Sequence, residues 1–229
     1  MDLAITVVVV FVVAQLLTLI AAAAVCTLVS VVSRKSAANK VANKAIFSDI
    51  SYYWLLRPLA YIPLTVFLVV MLDSAGWTGG GLLTSAPIVV QIILLYLLFE
   101  FVAYWVHRIF HGNRLLYRFH MPHHRIKRLE WSNGRQDHFV FEILLLVVFV
   151  SLGLLLGVSP LTFVTTIIVW YILLSLSHHN VAFSYGPLGK VLLSSSAHAV
   201  HHFGCTFENS KNFGVTLTLF DRLFGTYAK

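Results

Sequence analysis

Charge is what this sequence has least of. Asp, Glu, Lys and Arg make up 11% of its 229 residues while 59% are hydrophobic, whereas a soluble domain of this size is about a quarter charged. The shortage excludes a water-soluble globular protein and points to an integral membrane protein. Cysteine is almost missing: Cys26 lies inside an apolar run and Cys205 stands far from it, so no CxxC pair or disulfide framework exists, which fits a reducing compartment. No basic residue precedes the first apolar run, Leu3–Val32, and that run is far longer than the apolar part of a secretory signal. It is expected to remain as a membrane helix. Carboxylates number only nine, so any metal site must draw mostly on other ligands.

Long apolar runs are what the chain has instead. About twenty such residues, rising 1.5 Å each, cross a hydrocarbon core of about 30 Å. Five segments approach that length: Leu3–Val32, Tyr52–Leu72, Ala86–Val106, Phe139–Gly157 and Leu161–Ser177. The expected fold is an all-α integral membrane protein with about five transmembrane helices, within a range of four to six, and a histidine-rich helical metal domain on the cytoplasmic side. The first run is long enough to tilt or project. Pro58 and Pro63 are expected to kink the second, and a turn at Val158-Ser159-Pro160 joins the last two. Gly153 and Gly157 have the spacing of a tight helix contact. Trp54, Trp77, Trp105 and Trp131 stand near expected boundaries and read as interface anchors. Residues 1–85 form an N-terminal transmembrane region of two spans, and residues 86–229 a catalytic domain of three spans with cytoplasmic His-rich segments.

Orientation follows from lysine and arginine. With the N-terminus outside, all 16 fall on the inner side or, for Arg57, just within the inner end of the second span. All eleven histidines fall on the inner side too. The net charge of +7 is therefore a topology signal and not a nucleic-acid one; Arg114, Arg118, Arg125, Lys127, Arg128 and Arg135 are expected near an anionic lipid surface, where they could also receive an acidic redox partner.

The histidines are spaced as ligands. His107 and His111 are four apart and share one helix face; His120, His123 and His124 follow at HxxHH spacing, which His198, His201 and His202 repeat. Two copies of that pattern are beyond chance. With two of the nine carboxylates, Asp2 and Asp73, on the other side, the donors must be mostly imidazole, which suits zinc, copper, iron and nickel alike. One tetrahedral zinc needs four ligands, so eight or more histidines argue for two metal ions, and a redox-active pair at a membrane surface suggests oxygen chemistry.

These motifs resemble the sterol desaturase and fatty acid hydroxylase superfamily of membrane di-iron oxygenases, whose pattern is HxxxH, HxxHH and a later HxxHH. The likeness spans about residues 96 to 227 and takes in Tyr104-Trp105, His178-His179-Asn180-Val181, Gly186-Pro187-Leu188, Asn212-Phe213-Gly214 and Asp221-Arg222-Leu223-Phe224-Gly225-Thr226. It implies two irons, replaceable by zinc in a purified sample, held by His107, His111, His120, His123, His124, His178, His198, His201 and His202. It further implies O₂ activation and attack on a lipid C–H bond.

Several positions depart from the family pattern. His179 occupies a usually small position and is expected beside the ligands. Glu100, where such proteins often carry Asp, is expected to accept an imidazole N–H, against a plain hydrogen bond to another helix. His138 and Glu142 fall near the family's His/Glu pair at looser spacing, and Ser195 replaces a common proline. Asn180 and Asp221 are outer partners of ligands, or caps and turn residues.

The function expected is a lipid hydroxylase acting on a fatty acyl, sterol or ether/amino lipid chain that enters laterally from the bilayer, with desaturation as the alternative on the same site. A histidine-rich metal transporter or zinc-binding protein is the competing class, but a transporter needs ligands near the bilayer midplane. A zinc-dependent hydrolase would need fewer ligands and a clear general base. Residues 1–85 leave no room for a fused redox domain, so electrons are expected from a separate ferredoxin or cytochrome b5 type protein with its reductase. The setting is a bacterial inner membrane or the endoplasmic reticulum.

Overall fold

The structure, a computed structural model, describes residues 2–32, 46–76, 80–180 and 185–228. Trp77 and Val181 lie outside the described residues, as does the basic stretch 33–45. The helices are α1 (Leu3–Val32), α2 (Ile46–Ser74), α3 (Ile88–Gly112), α4 (Arg114–His124), α5 (Phe139–Leu156), α6 (Pro160–Ser177), α7 (Ser195–Phe203) and the short α8 (Leu219–Leu223). Among the described residues β structure is limited to one antiparallel bridge, Leu192 with Leu217. The five helices α1, α2, α3, α5 and α6 are long and apolar enough to cross a bilayer, as the sequence led one to expect.

Each start is set by a local cap. Asn113 Oδ1 accepts from Leu115 N and Leu116 N to begin α4, Ser159 Oγ accepts from Thr162 N with Pro160 in the first turn of α6, and Ser194 Oγ accepts from Ala197 N in α7. The expected kink of α2 is present. A π-helical stretch, Ile50–Leu56, gives way to a break at Ala60-Tyr61 between the two prolines, neither of which can donate an N–H to the preceding turn. One boundary differs in a way that matters: α3 continues past the expected Val106 to Gly112, so His107 and His111 ride on its last two turns.

The bundle packs around Leu95, Phe99 and Ala103 of α3, Phe149 of α5, and Trp170 and Leu174 of α6. The rings of Phe99 and Phe149 stack with centroids 4.0 Å apart. Close approach of α6 to α5 needs Gly153, where an added Cβ would lie 2.6 Å from the Phe163 ring. Gly157 serves differently. It ends α5 in the left-handed region at φ +66, and a Cβ there would meet Gly81 N at 2.7 Å, in the loop whose Leu83 N donates to Leu156 O.

Two residue types are more deeply placed than the sequence suggested. Trp54 is 1% exposed and donates its indole N–H to Ser132 O, so it is a packing residue and not an interface anchor. Arg135, expected at the lipid surface, is 5% exposed, between the rings of Trp54 and Tyr171. A short 3-10 turn, Trp131–Arg135, carries it inward.

Gly157→Ala should destabilise the bundle by about 1–3 kcal/mol, because it adds both left-handed strain and a clash with the 81–84 loop. That corresponds to a fall of at least about 2–4 °C in Tm for a chain of this length. Thermal unfolding in detergent measures it, and an unchanged Tm would contradict this account.

Candidate metal centre

Nine histidines gather at one end of the bundle, in two groups. Ligand nitrogens of His107, His111, His120, His124 and His201 all lie within 4.8 Å of one another, as do those of His123, His178, His198 and His202. The two groups therefore contain all nine ligands expected from the sequence. Helix geometry explains the partition. Within each HxxHH motif, the residues four apart (His120 with His124, His198 with His202) face one group, while the remaining one (His123, His201) faces the other. Both α4 and α7 are thus shared between the groups.

The outward nitrogen of each ring shows what the inward one offers. His107 Nδ1 lies 2.8 Å from Phe213 O and His201 Nδ1 2.7 Å from Lys211 O; a carbonyl only accepts, so both rings carry their proton on Nδ1. His120 Nδ1 donates to Asp137 Oδ1 at 2.9 Å and His178 Nδ1 to Asn133 Oδ1 at 3.2 Å. His111 Nδ1 meets Ser210 Oγ at 2.9 Å, whose own proton goes to Thr206 O. A neutral imidazole has one N–H, so the Nε2 atoms of these rings present lone pairs inward.

At one pair two such lone pairs face each other, and the other Nε2 atoms converge as closely. Nε2 of His107 and His120 are 3.0 Å apart with no proton left to lie between them, and the further Nε2 pairs His111–His124, His124–His201, His178–His198, His198–His202 and His123–His202 are separated by 2.9–3.1 Å. Facing lone pairs repel unless a cation sits among them. Metal–nitrogen bonds of about 2.1 Å at right angles place adjacent nitrogens about 3.0 Å apart. The donor set therefore fits a metal ion in each group, with five of the nine rings oriented by an outer partner as metal-bound imidazoles are.

The outer acceptors are held in turn. Residues 210–213 serve three rings of the first group, and the segment turns at Asn212, which has φ 56 and is fully buried. Asn212 Nδ2 donates to Ala197 O and Ala228 O, and its Oδ1 accepts from Ala228 N. Gly214 admits no side chain, since a Cβ would overlap Leu217 O. Asp221 accepts from Phe213 N, Gly214 N and Thr226 Oγ1. It is a positioning residue for the Phe213 carbonyl, and burial raises its carboxyl while these donors lower it.

Other expected neighbours lie elsewhere. Glu100 Oε1 accepts from Trp170 Nε1 at 2.6 Å and Oε2 from Thr216 N and Leu217 N. Its partners are thus a helix and a loop and not an imidazole, because α3 turns that face toward α6 and residues 216–217. His179 Nε2 approaches Ser30 Oγ and Cys26 O, both at 3.1 Å, and so ties α6 to α1. His138 caps α5 through Val140 N. Asn180 donates to Glu130 Oε1. Sequence reasoning missed Asp137 and Asn133. A carboxylate just before His138 and a carboxamide in the same turn were available signals, but nothing in their spacing distinguished them from loop residues.

Burial strips water from the rings. It holds His120, His178, His198 and His202 well below the usual histidine range, with neighbouring imidazoles adding to the effect. His124 shifts the same way, His123 falls to about 3, and His201 to about 4 with the Lys211 carbonyl opposing. Burial raises the Asp137 carboxyl, which positive charge beyond His120 would offset. Between the helices an apolar cavity of about 440 Å³ runs from Leu3, Asp73 and Pro160 to His107, His120, His123 and His198, touching both groups.

Residues 92–226 match the protein-family model described as fatty acid hydroxylase. The chain is 32% identical over 142 residues to ornithine lipid hydroxylase OlsE of Rhizobium tropici, covering 62% of this chain and 43% of that protein. It is 28% identical over 125 residues to alkylglycerol monooxygenase of Danio rerio and 27% over 128 residues to that of Homo sapiens, covering 55% and 56% of this chain and 28% of each relative. The chain thus spans less than half the length of these curated relatives. No solved structure matches it.

Two outcomes follow for stability. In metal-free protein an unfolded histidine takes up a proton near pH 6.5, whereas the folded site resists protonation down to about pH 3 at His123 and about 4 at His201. Stability should be greatest above pH 6.5 and fall below it, by about 1.4 kcal/mol per pH unit for each such ring. Tm of chelator-treated protein measured from pH 7.5 to 5 should decline, and a flat profile would contradict the assignment. At pH 7.5, chelation itself should lower Tm by several degrees, since a ligand bound only by the folded state stabilises it.

Proposed function

The chain belongs to the fatty acid hydroxylase family, and on that footing we propose that it is a membrane-bound di-iron lipid hydroxylase with its metal centre on the cytoplasmic side. The observation that carries this reading is the pair of buried all-histidine groups opening onto one apolar cavity. The ligands are His107, His111, His120, His124 and His201 for one iron and His123, His178, His198 and His202 for the other. The irons supply O₂ activation, in which one oxygen atom enters a lipid C–H bond as hydroxyl and two electrons and two protons carry the other to water.

The protein's own part is orientation and exclusion. Phe213 O, Lys211 O, Ser210 Oγ, Asp137 and Asn133 fix five rings with their lone pairs inward. Phe141, Leu145, Phe149 and Val215 wall the cavity and keep water from the reacting carbon. A lipid entering between helices is held with one carbon near the centre, so proximity decides where it is oxidised. The relatives named for ornithine lipid and alkylglycerol favour an amino or ether lipid over a sterol. Electrons come from a separate ferredoxin or cytochrome b5 type protein, docking on the exposed Arg114, Arg118, Arg125, Lys127 and Arg128. The bundle sits in a bacterial inner membrane or the endoplasmic reticulum.

Iron-loaded protein should bind about two irons per chain and, with O₂ and a reduced one-electron carrier, add one oxygen atom to a membrane lipid. His201→Ala should lower product at least about 100-fold while other lipids stay constant. Lipid profiling by mass spectrometry of cells carrying either form reads this. Products two hydrogens lighter would identify a desaturase, turnover with NAD(P)H alone would remove the separate donor, and one zinc without iron in anaerobic, iron-supplied protein would indicate a hydrolase.

A further inference from the structure

We propose that Arg135 recognises an oxygen-bearing polar group of the lipid at the metal end of the cavity, while the hydrocarbon chain runs from there along α1 toward Leu3. This rests on the reading of the cavity as the substrate site. The observation behind it is a buried cation whose hydrogen bonding is incomplete. Arg135 is 5% exposed and lines the cavity; one Nη donates to Gln15 Oε1 at 2.8 Å, and the guanidinium lies 4.5 Å from the centroid of the Tyr171 ring. Its Nε is buried and, among the described residues, has no hydrogen-bond partner.

The carboxylates nearby are already engaged. Glu142 Oε2 accepts from Tyr61 OH at 2.6 Å and pairs with Arg57 Nε at 3.3 Å. Asp137 faces His120 Nδ1 at 2.9 Å and His123 Nδ1 at 3.6 Å. Arg135 forms no ion pair with either, nor with any other described residue. Glu142 lies within electrostatic reach of Arg135, but no carboxylate oxygen bonds the guanidinium, and a carbonyl or carboxylate oxygen from the ligand would supply the charge-assisted hydrogen bond that the buried Nε lacks.

Placement gives the orientation. Arg135 is flanked by Gly134, where a Cβ would lie 3.4 Å from the His178 ring, and by Asp137, which holds His120. A group bound to Arg135 is therefore next to the histidines. Gln15, its partner on α1, is twelve residues from Leu3, about 18 Å along the helix, and Val7, Val10 and Phe11 line the interval. Arg135 is the one Lys or Arg among the described residues that line the cavity, and the far end has only Asp73 and Thr6 as polar side chains. A tail-first lipid would leave Arg135 facing methylenes. Oxidation is thus directed to carbons close to the polar group and not to the chain terminus.

The test uses the metal-loaded full chain in detergent with three C16 probes: palmitic acid, its methyl ester and hexadecane. Arg135→Gln should weaken binding of both oxygenated probes tenfold or more, with hexadecane changed less than twofold; the acid alone losing affinity would assign a carboxylate and both together a carbonyl-type oxygen. Equal retention of all three, or equal loss of all three, would overturn the proposal. Because that variant can fail to fold, wild type is also photolabelled with palmitic acid carrying a diazirine at its methyl end. Labels should fall on residues 3–10 and 160–164, and labels on 134–141 would overturn the orientation. In turnover, a series of chain lengths should keep the hydroxyl at a constant distance from the polar end. If no lipid is oxidised at all, the hydroxylase reading fails, while binding and photolabelling still decide the role of Arg135.

Discussion

A neutral imidazole has one proton, and where that proton goes governs this structure. Sending it outward leaves a lone pair facing inward, and collecting several such lone pairs in one place is tolerable only around positive charge. Each ring so oriented requires a fixed acceptor behind it, and each acceptor requires a backbone that does not move. The requirement spreads outward from the nine histidines in layers: Phe213 O, Lys211 O and Asp137 first, then Asn212 and Asp221, which hold the 210–213 segment. Glu100 and Trp170 come last, pinning residues 216–217 to the bundle. A carboxylate buried in a membrane helix is tolerated because three donors meet it there.

The same logic explains why the site belongs to the membrane bundle and is not an appended domain. Three spans supply it. α3 carries His107 and His111 on its final turns, α6 ends at His178, and α5 begins just beyond Asp137. The apolar cavity between those spans reaches rings of both groups, so the histidines face an apolar surrounding, which raises the worth of every oriented dipole around them.

Much of this was legible in the sequence. Five apolar runs of spanning length gave the helices, the HxxxH and HxxHH spacings gave eight of the nine histidines that the fold brings together, and the family resemblance added His178. What escaped was non-local or depended on backbone shape. Glu100 was visible as an anomaly within an apolar run, yet its partners lie seventy or more residues away and two of them are backbone amides, which carry no sequence signature. The left-handed turn at Asn212 is written only as an asparagine, a residue that also suits many loops. Arg135 looked like one more basic residue in a basic loop; the 3-10 turn that carries it inward, and the rings of Trp54 and Tyr171 that receive it, come from three separate parts of the chain. The division of each HxxHH motif between two groups follows from helical periodicity, but only once both flanking partners are known.

The hold of residues 226–228 on the 210–213 segment has a consequence for biosynthesis. Asn212 N donates to Thr226 O and Asn212 Nδ2 to Ala228 O, so the carbonyls that orient His107 and His201 reach their places only after this stretch has been synthesised, behind all five spans. Until that stretch is in place, His107 and His201 lack the fixed carbonyls that hold their Nδ1 protons. The backbone that organises the rings is thus made after the helices that carry them, and the site takes its final shape late in folding.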